Sequence, residues 1–130
     1  MLQLAYMSQA ANYLAPGDTG TISTHAQVRN RLDEITGVLL GDGKYFLQVL
    51  EGPKESVEDT FLRVMIDPRH HSLMLLSRRL VTTREFGVWD MALCETETDR
   101  RAVIETVRHL VTGASDDIRQ SFAVRYPEQH

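Results

Sequence analysis

Cysteine is nearly absent: the single Cys94 in 130 residues excludes an internal disulfide, and no Cys/His spacing resembles a zinc site. The adjacent His70 and His71 lack a third ligand and read as loop, so no metal is expected. An excess of positive charge is lacking as well. The net charge is −4, and without clustered Lys and Arg the chain is not expected to bind nucleic acid, whose affinity rests on phosphate contacts. No apolar run is long enough to span a membrane, and no basic start precedes a short apolar stretch. A cytoplasmic setting without a membrane partner is therefore expected. Repeats and low-complexity tracts are missing too. What remains is ordinary, with 42% hydrophobic and 25% charged residues, in a length that suits one domain with a real core.

The most informative stretch is ITGVLLGDGKYFLQVLEG, Ile35 to Gly52. Two apolar runs flank Asp42-Gly43, a pair suited to a two-residue type I′ turn. With that turn, Gly41 pairs with Lys44 and Gly37 falls opposite Gln48. Period-two alternation puts Phe46, Gln48 and Leu50 on one face with Leu39 and Gly37. Val38, Leu40, Tyr45, Leu47 and Val49 take the other. A lone carboxamide thus stands in an apolar row facing a residue without a side chain. Such a place suits a flat polar ligand; a core Gln bonded to backbone is the plain alternative.

Leu2 to Ser8 reads as a first strand, with Leu2, Leu4 and Tyr6 on one side, and Gln9 to Ala15 as a loop. A helix capped by Asp18 or Thr19 is predicted to run to about Leu32. Its apolar stripe is thin, and Ile22, Ala26, Arg29 and Asn30 share one face. Gly52-Pro53 opens a second helix with Val57, Phe61 and Val64 inward, stopped by Asp67-Pro68. Leu73 to Val81 and Phe86 to Leu93 are the last strands, with Trp89 and Met91 on the same face.

This order predicts an α/β (α+β) fold: a ferredoxin-like βαββαβ sandwich with a five-stranded mixed sheet. That plan leaves one apolar sheet face bare. The tail can cover it through the stripe of Val103, Ile104, Val107, Leu110 and Val111, followed by a short helix through Ile118 and Phe122. A second copy of the chain is the alternative cover. The division expected is a core over residues 1–95 and a helical extension over 96–130.

Taken singly, Tyr6 and Trp89 are ordinary core aromatics, Met91 is filler, Asn30 a helix cap, and Arg63 with Asp67 a surface pair. Together they form a pattern: Tyr6 in the first strand, Asn30 just before ITG, FLQVLEG around Gln48, RVMIDPRHH over Arg63 to His71, and REFGVWDM over Arg84 to Met91. In that order and spacing, the first 95 or so residues resemble the BLUF domains, sensors of blue light that use a flavin.

The resemblance implies a flavin between the two helices, on the face of Gln48, and a receptor rather than an enzyme. Tyr6 matches the family's electron donor and Gln48 its switching glutamine. Asn30 matches the asparagine on the pyrimidine edge, beside Arg29, which stands where the family often has Asn or His. Arg63 and Asp67 match polar groups near the ring edge and the flavin side chain, and Ile22 and Phe46 line the same face. Trp89 and Met91 match the pair on the last strand that reports the light state. FAD is the expected flavin, with FMN and riboflavin as alternatives. Transient electron and proton transfer from Tyr6 would let Gln48 resettle and shift absorption to the red. About 35 residues follow the core, too few for a cyclase or phosphodiesterase, so the expected partners are a separate effector protein and a second copy in a homodimer or higher homo-oligomer. Two rivals stand beside this reading. One is a light-insensitive regulatory domain of the same fold binding another small molecule. The other, an enzyme resembling acylphosphatases, is disfavoured because Ser8 to Leu14 holds neither Arg nor Gly.

Overall fold

A computed structural model describes residues 1–10, 34–41, 44–68, 70–86, 90–93 and 97–127, with the backbone alone described at 10, 90–93 and 97. The predicted helix over 18–32, with Ile22, Arg29 and Asn30, lies outside these residues, as do Asp42-Gly43 and Trp89. Strands β1 (Leu2–Ala10), β2 (Thr36–Gly41) and β3 (Tyr45–Gly52) precede helix α1 (Lys54–Met65). Strands β4 (His70–Leu80) and β5 (Asp90–Leu93) follow, then helices α2 (Glu97–Leu110) and α3 (Asp116–Arg125).

The five strands form one sheet in the order β4-β1-β3-β2-β5. β3 runs antiparallel to both β1 and β2, β4 antiparallel to β1, and β5 parallel to β2. The first four strands thus have the ferredoxin-like arrangement, and β5 extends it to a mixed sheet.

Both faces are buried, as apolar side chains on both sides of β2 and β3 require. On one face Leu2, Leu4, Tyr6, Leu39, Phe46 and Leu50 meet Val57 of α1, with Phe61 and Val64 packed against them. On the other, Ala5, Met7, Val38, Leu40, Leu47 and Val49 meet Val103, Val107, Val111 and Phe122. The tail therefore supplies the second cover. The bare sheet face that favoured a second copy is already filled, and that ground for a homo-oligomer falls away.

α1 starts where the sequence places it. Pro53 needs no N–H in the first turn, and its carbonyl accepts from Val57 N at 2.9 Å. Before it, Gly52 has no alternative. A Cβ there would stand 2.8 Å from the Glu34 carbonyl oxygen, backbone that cannot swing aside. In α3, Asp116 and Asp117 sit in the first turn and Arg125 in the last, each suiting the helix dipole.

Four expectations are corrected. Gly41 faces Phe46 rather than Lys44, so Gly37 lies opposite Leu50 and Gln48 opposite Leu39. A slip of two residues leaves every side chain on its expected face, so alternation could not see it. Gln9 belongs to β1, not to a loop, because it pairs with Tyr45 of β3. β4 begins at His70 rather than Leu73, since His70 and His71 pair with Ala10 and Gln9. Phe86 lies outside β5; it is buried in the core that the tail closes. The β1–β4 pairing also breaks register twice, between Ala5/Tyr6 and between Met7/Gln9, and Ser72 near the second break has φ 55°. These are bulges in an edge strand, the first of them beside Tyr6.

Candidate functional site

Tyr6 and Gln48 are direct partners in the β1–β3 ladder. Their side chains rise from the same face, where opposed Cβ atoms stand about 4.5–5.5 Å apart. Both are buried, Tyr6 at 1% exposure and Gln48 at 8%. Leu75 flanks Tyr6 on its β4 side, and the Phe61 ring lies over it, centroids 5.3 Å apart at 53°. Phe46, two positions from Gln48, shares the face and is buried.

The Tyr6 hydroxyl is buried and finds no hydrogen-bond partner among the described residues. A buried donor in that condition costs about 1–3 kcal/mol. Burial pushes its phenol well above the ordinary tyrosine range, and the charge of Asp67 raises it further. The folded chain therefore keeps a proton that the unfolded chain releases near pH ~10. Stability is untouched below that pH and falls above it, because unfolding there releases the proton. In an alkaline titration, one tyrosine's share of phenolate absorbance is expected only as the fold is lost. Tyr6→Phe should remove that late step; a Tyr6 that ionises while the chain stays folded would contradict its burial.

α1 places Arg63 in its last turn, where Nη2 donates to Thr60 Oγ1 at 2.9 Å. His70, expected in a loop, ties this end of the helix to the sheet. Its Nε2 lies 2.5 Å from the Val64 carbonyl, which can only accept, so Nε2 donates. Its Nδ1 lies within hydrogen-bond distance, 2.7 Å, of the hydroxyl of buried Ser8. His70 also meets Phe46 edge-on, with centroids 6.3 Å apart. Helix α1, which carries Phe61 and is followed by Asp67, is thus held against β1 two residues from Tyr6. Of the residues singled out in the sequence, Tyr6, Phe46 and Gln48 come together on one face, and Asp67 is near enough for its charge to act on Tyr6. Ile22, Arg29, Asn30 and Trp89 lie outside the described residues, as does the side chain of Met91.

Sequence reasoning missed His70, Ser8, Glu51 and Gln3. Glu51 carried a visible signal: in β3 it follows Leu47 and Val49 on a buried apolar face, where a carboxylate stands only with partners.

A family model described as sensors of blue-light using FAD, BLUF, matches residues 1–92. The chain belongs to the BLUF family. BLUF domains are sensors of blue light that use a flavin, FAD in the family's description. Among curated BLUF relatives it is similar to the blue light- and temperature-regulated antirepressor BluF of Escherichia coli (strain K12). That match is 34% identical over 85 residues and covers 62% of this chain and 21% of BluF. Photoactivated adenylate cyclase subunit beta of Euglena gracilis is 43% identical over 67 residues, covering 52% of this chain and 8% of that protein. The chain therefore spans only a small part of these curated relatives. Among solved structures, the dark state of BlrB, a BLUF protein, is 28% identical with a TM-score of 0.72, covering 95% of this chain and 96% of BlrB. No helix among the described residues is long and apolar enough to cross a membrane.

Proposed function

We propose that this chain converts blue light into a rearranged hydrogen-bond pattern at Tyr6 and Gln48, and passes it to a separate effector protein without catalysing a reaction itself. The observation that carries this reading is the opposition, on adjoining strands, of a buried carboxamide and a buried phenol without a hydrogen-bond partner among the described residues. Those residues fit a flavin edge, which offers flat, adjacent acceptors.

Bound flavin would supply a blue-absorbing group that, once excited, takes an electron from a nearby donor. Tyr6 is that donor: it yields an electron and the Oη proton and recovers both. The negative charge of Asp67 eases loss of the electron while holding the proton in the dark. Gln48 has donors at one end of its amide and an acceptor at the other, so turning over or tautomerising exchanges what it presents. Phe61 and the surrounding core keep water from competing for these bonds.

Ile22, Arg29, Asn30, Phe46, Arg63 and Asp67 hold the cofactor, FAD as in the family's description, with FMN and riboflavin as the alternatives. Trp89 and Met91 carry the change towards residues 96–130, which act as cap and output beyond the sensor core of 1–95. The setting is cytoplasmic. The sheet face that would have called for a second copy is covered by α2 and α3.

The test is one difference spectrum, lit minus dark, on the purified chain. A yellow protein with a reversible red shift is expected. A colourless chain that refuses FAD, FMN and riboflavin, or one that holds flavin without responding to light, overturns the reading.

A further inference from the structure

The strand that carries Gln48 ends in a second polar centre, three residues on and on the opposite face. Glu51 is fully buried at 0% exposure, and its cross-strand partner Gln3 equally so. Glu51 Oε2 accepts from Gln3 Nε2 at 2.8 Å and from the backbone N–H of Glu85 at 2.9 Å, while Oε1 accepts from the N–H of Phe86 at 2.8 Å. Gln3 Oε1 in turn accepts from Arg79 Nε at 2.9 Å, and Arg79 pairs with Glu85.

The backbone of Glu51 is gripped as well. Arg84 Nη1 donates to the Glu51 carbonyl and to Thr36 Oγ1, both at 2.9 Å, and Nη2 donates to the Glu34 carbonyl at 2.8 Å. Residues 84–86, on the approach to β5, are therefore fastened to the end of β3 through side chain and main chain together. Phe86 then buries its ring in the core closed by α2 and α3. One rung of the β1–β3 ladder holds Tyr6 and Gln48; another, three steps away, holds Gln3 and Glu51.

We infer that Glu51 is the positioning residue that couples the strand of Gln48 to the approach to β5 and the tail-covered core. This inference rests on the sensor reading above. A carboxylate fixed by three donors inside the protein has little freedom to turn, and losing any of them leaves buried charge poorly satisfied. When β3 adjusts to a rearranged Gln48, the amides of Glu85 and Phe86 must follow it.

The test is hydrogen–deuterium exchange on the full flavin-loaded chain, dark and illuminated, with wild type beside Glu51→Gln. Glutamine keeps the size but offers one carbonyl acceptor where the carboxylate has two oxygens. In the dark variant, exchange at Glu85 and Phe86 should rise about tenfold. The variant should keep its flavin and the wild-type red shift, yet lose the light-dependent change in peptides containing Glu85 and Phe86. A merely structural role would not separate these two readouts. Unchanged dark exchange, or an undiminished light response in those peptides beside a normal red shift, overturns the coupling alone. A wild-type chain without any red shift overturns the sensor reading, and the coupling with it. If Glu51→Gln does not fold, Arg84→Lys carries the same comparison, because lysine keeps the charge and loses the forked grip on residues 34 and 51.

Discussion

Tyr6→Phe is expected to bind flavin as wild type does and to lose the long-lived red shift altogether. Phenylalanine fills the space under Phe61 and beside Leu75 but has no proton to give and is far harder to oxidise. The dark chain should not suffer. The Tyr6 hydroxyl finds no partner among the described residues, so removing it relieves a cost of about 1–3 kcal/mol rather than breaking a bond. Flavin-free Tyr6→Phe should therefore melt no lower than flavin-free wild type. The measurement is a pair of thermal melts beside a lit-minus-dark spectrum. An unchanged photocycle would remove Tyr6 from the chemistry, and a large drop in melting temperature would show that the hydroxyl has a structural partner.

The second large effect is at the residue opposite. Gln48→Leu should also abolish the red shift, for a different reason: electron loss from Tyr6 remains available, but no carboxamide is left to settle in a second arrangement. Leucine is close in size and enters an apolar neighbourhood of Leu39, Phe46 and Leu50. Losing the amide gives up its polar partner, a cost of about 0.5–1.5 kcal/mol, and each kcal/mol shifts the melting temperature by only about 2–8 °C for chains near this length. The chain should thus stay folded and yellow, and absorb identically in dark and light. The two residues act as one unit, so the double variant should behave like either single one. Persistent switching in Gln48→Leu would contradict the proposed chemistry more deeply than any result at Tyr6.

Much of this site was legible before any coordinates, because strands reveal their faces through alternation. Phe46, Gln48 and Leu50 fell on one side and Leu47 and Val49 on the other, whichever register the hairpin adopted. The tail helices were equally readable, since Val103, Val107 and Val111 recur at helical spacing. Register itself was hidden. Asp42-Gly43 favours a two-residue turn, yet Gly41 pairs with Phe46, and a slip of two residues flips no side chain. The vacant space expected opposite Gln48 disappears with it, for Leu39 stands there on one side and Tyr6 on the other. The ends of β4 were hidden for another reason. His70 is polar and neighbours Asp67-Pro68, both marks of a loop, while its place in the strand depends on Ser8, far off in the chain, and on the Val64 carbonyl at the end of α1, contacts that alternation does not reveal. Glu51 was overlooked because FLQVLEG draws attention to its amide, although a carboxylate on a buried face was the odder residue.

The two bulges in β4 have a consequence for how this molecule meets others. β4 forms an outer boundary of the sheet, the kind of border along which chains can stitch themselves together into ribbons. Here that border is kinked twice, carries a serine with left-handed backbone, and has the solvent-facing Arg78 and Arg79 just before its last residue, Leu80. A straight incoming segment cannot match such an interrupted row of amides, and a second copy would bring its own guanidinium groups against these. The same irregularity that accompanies the phenol also guards a concentrated solution of this receptor against fibrous growth on that side.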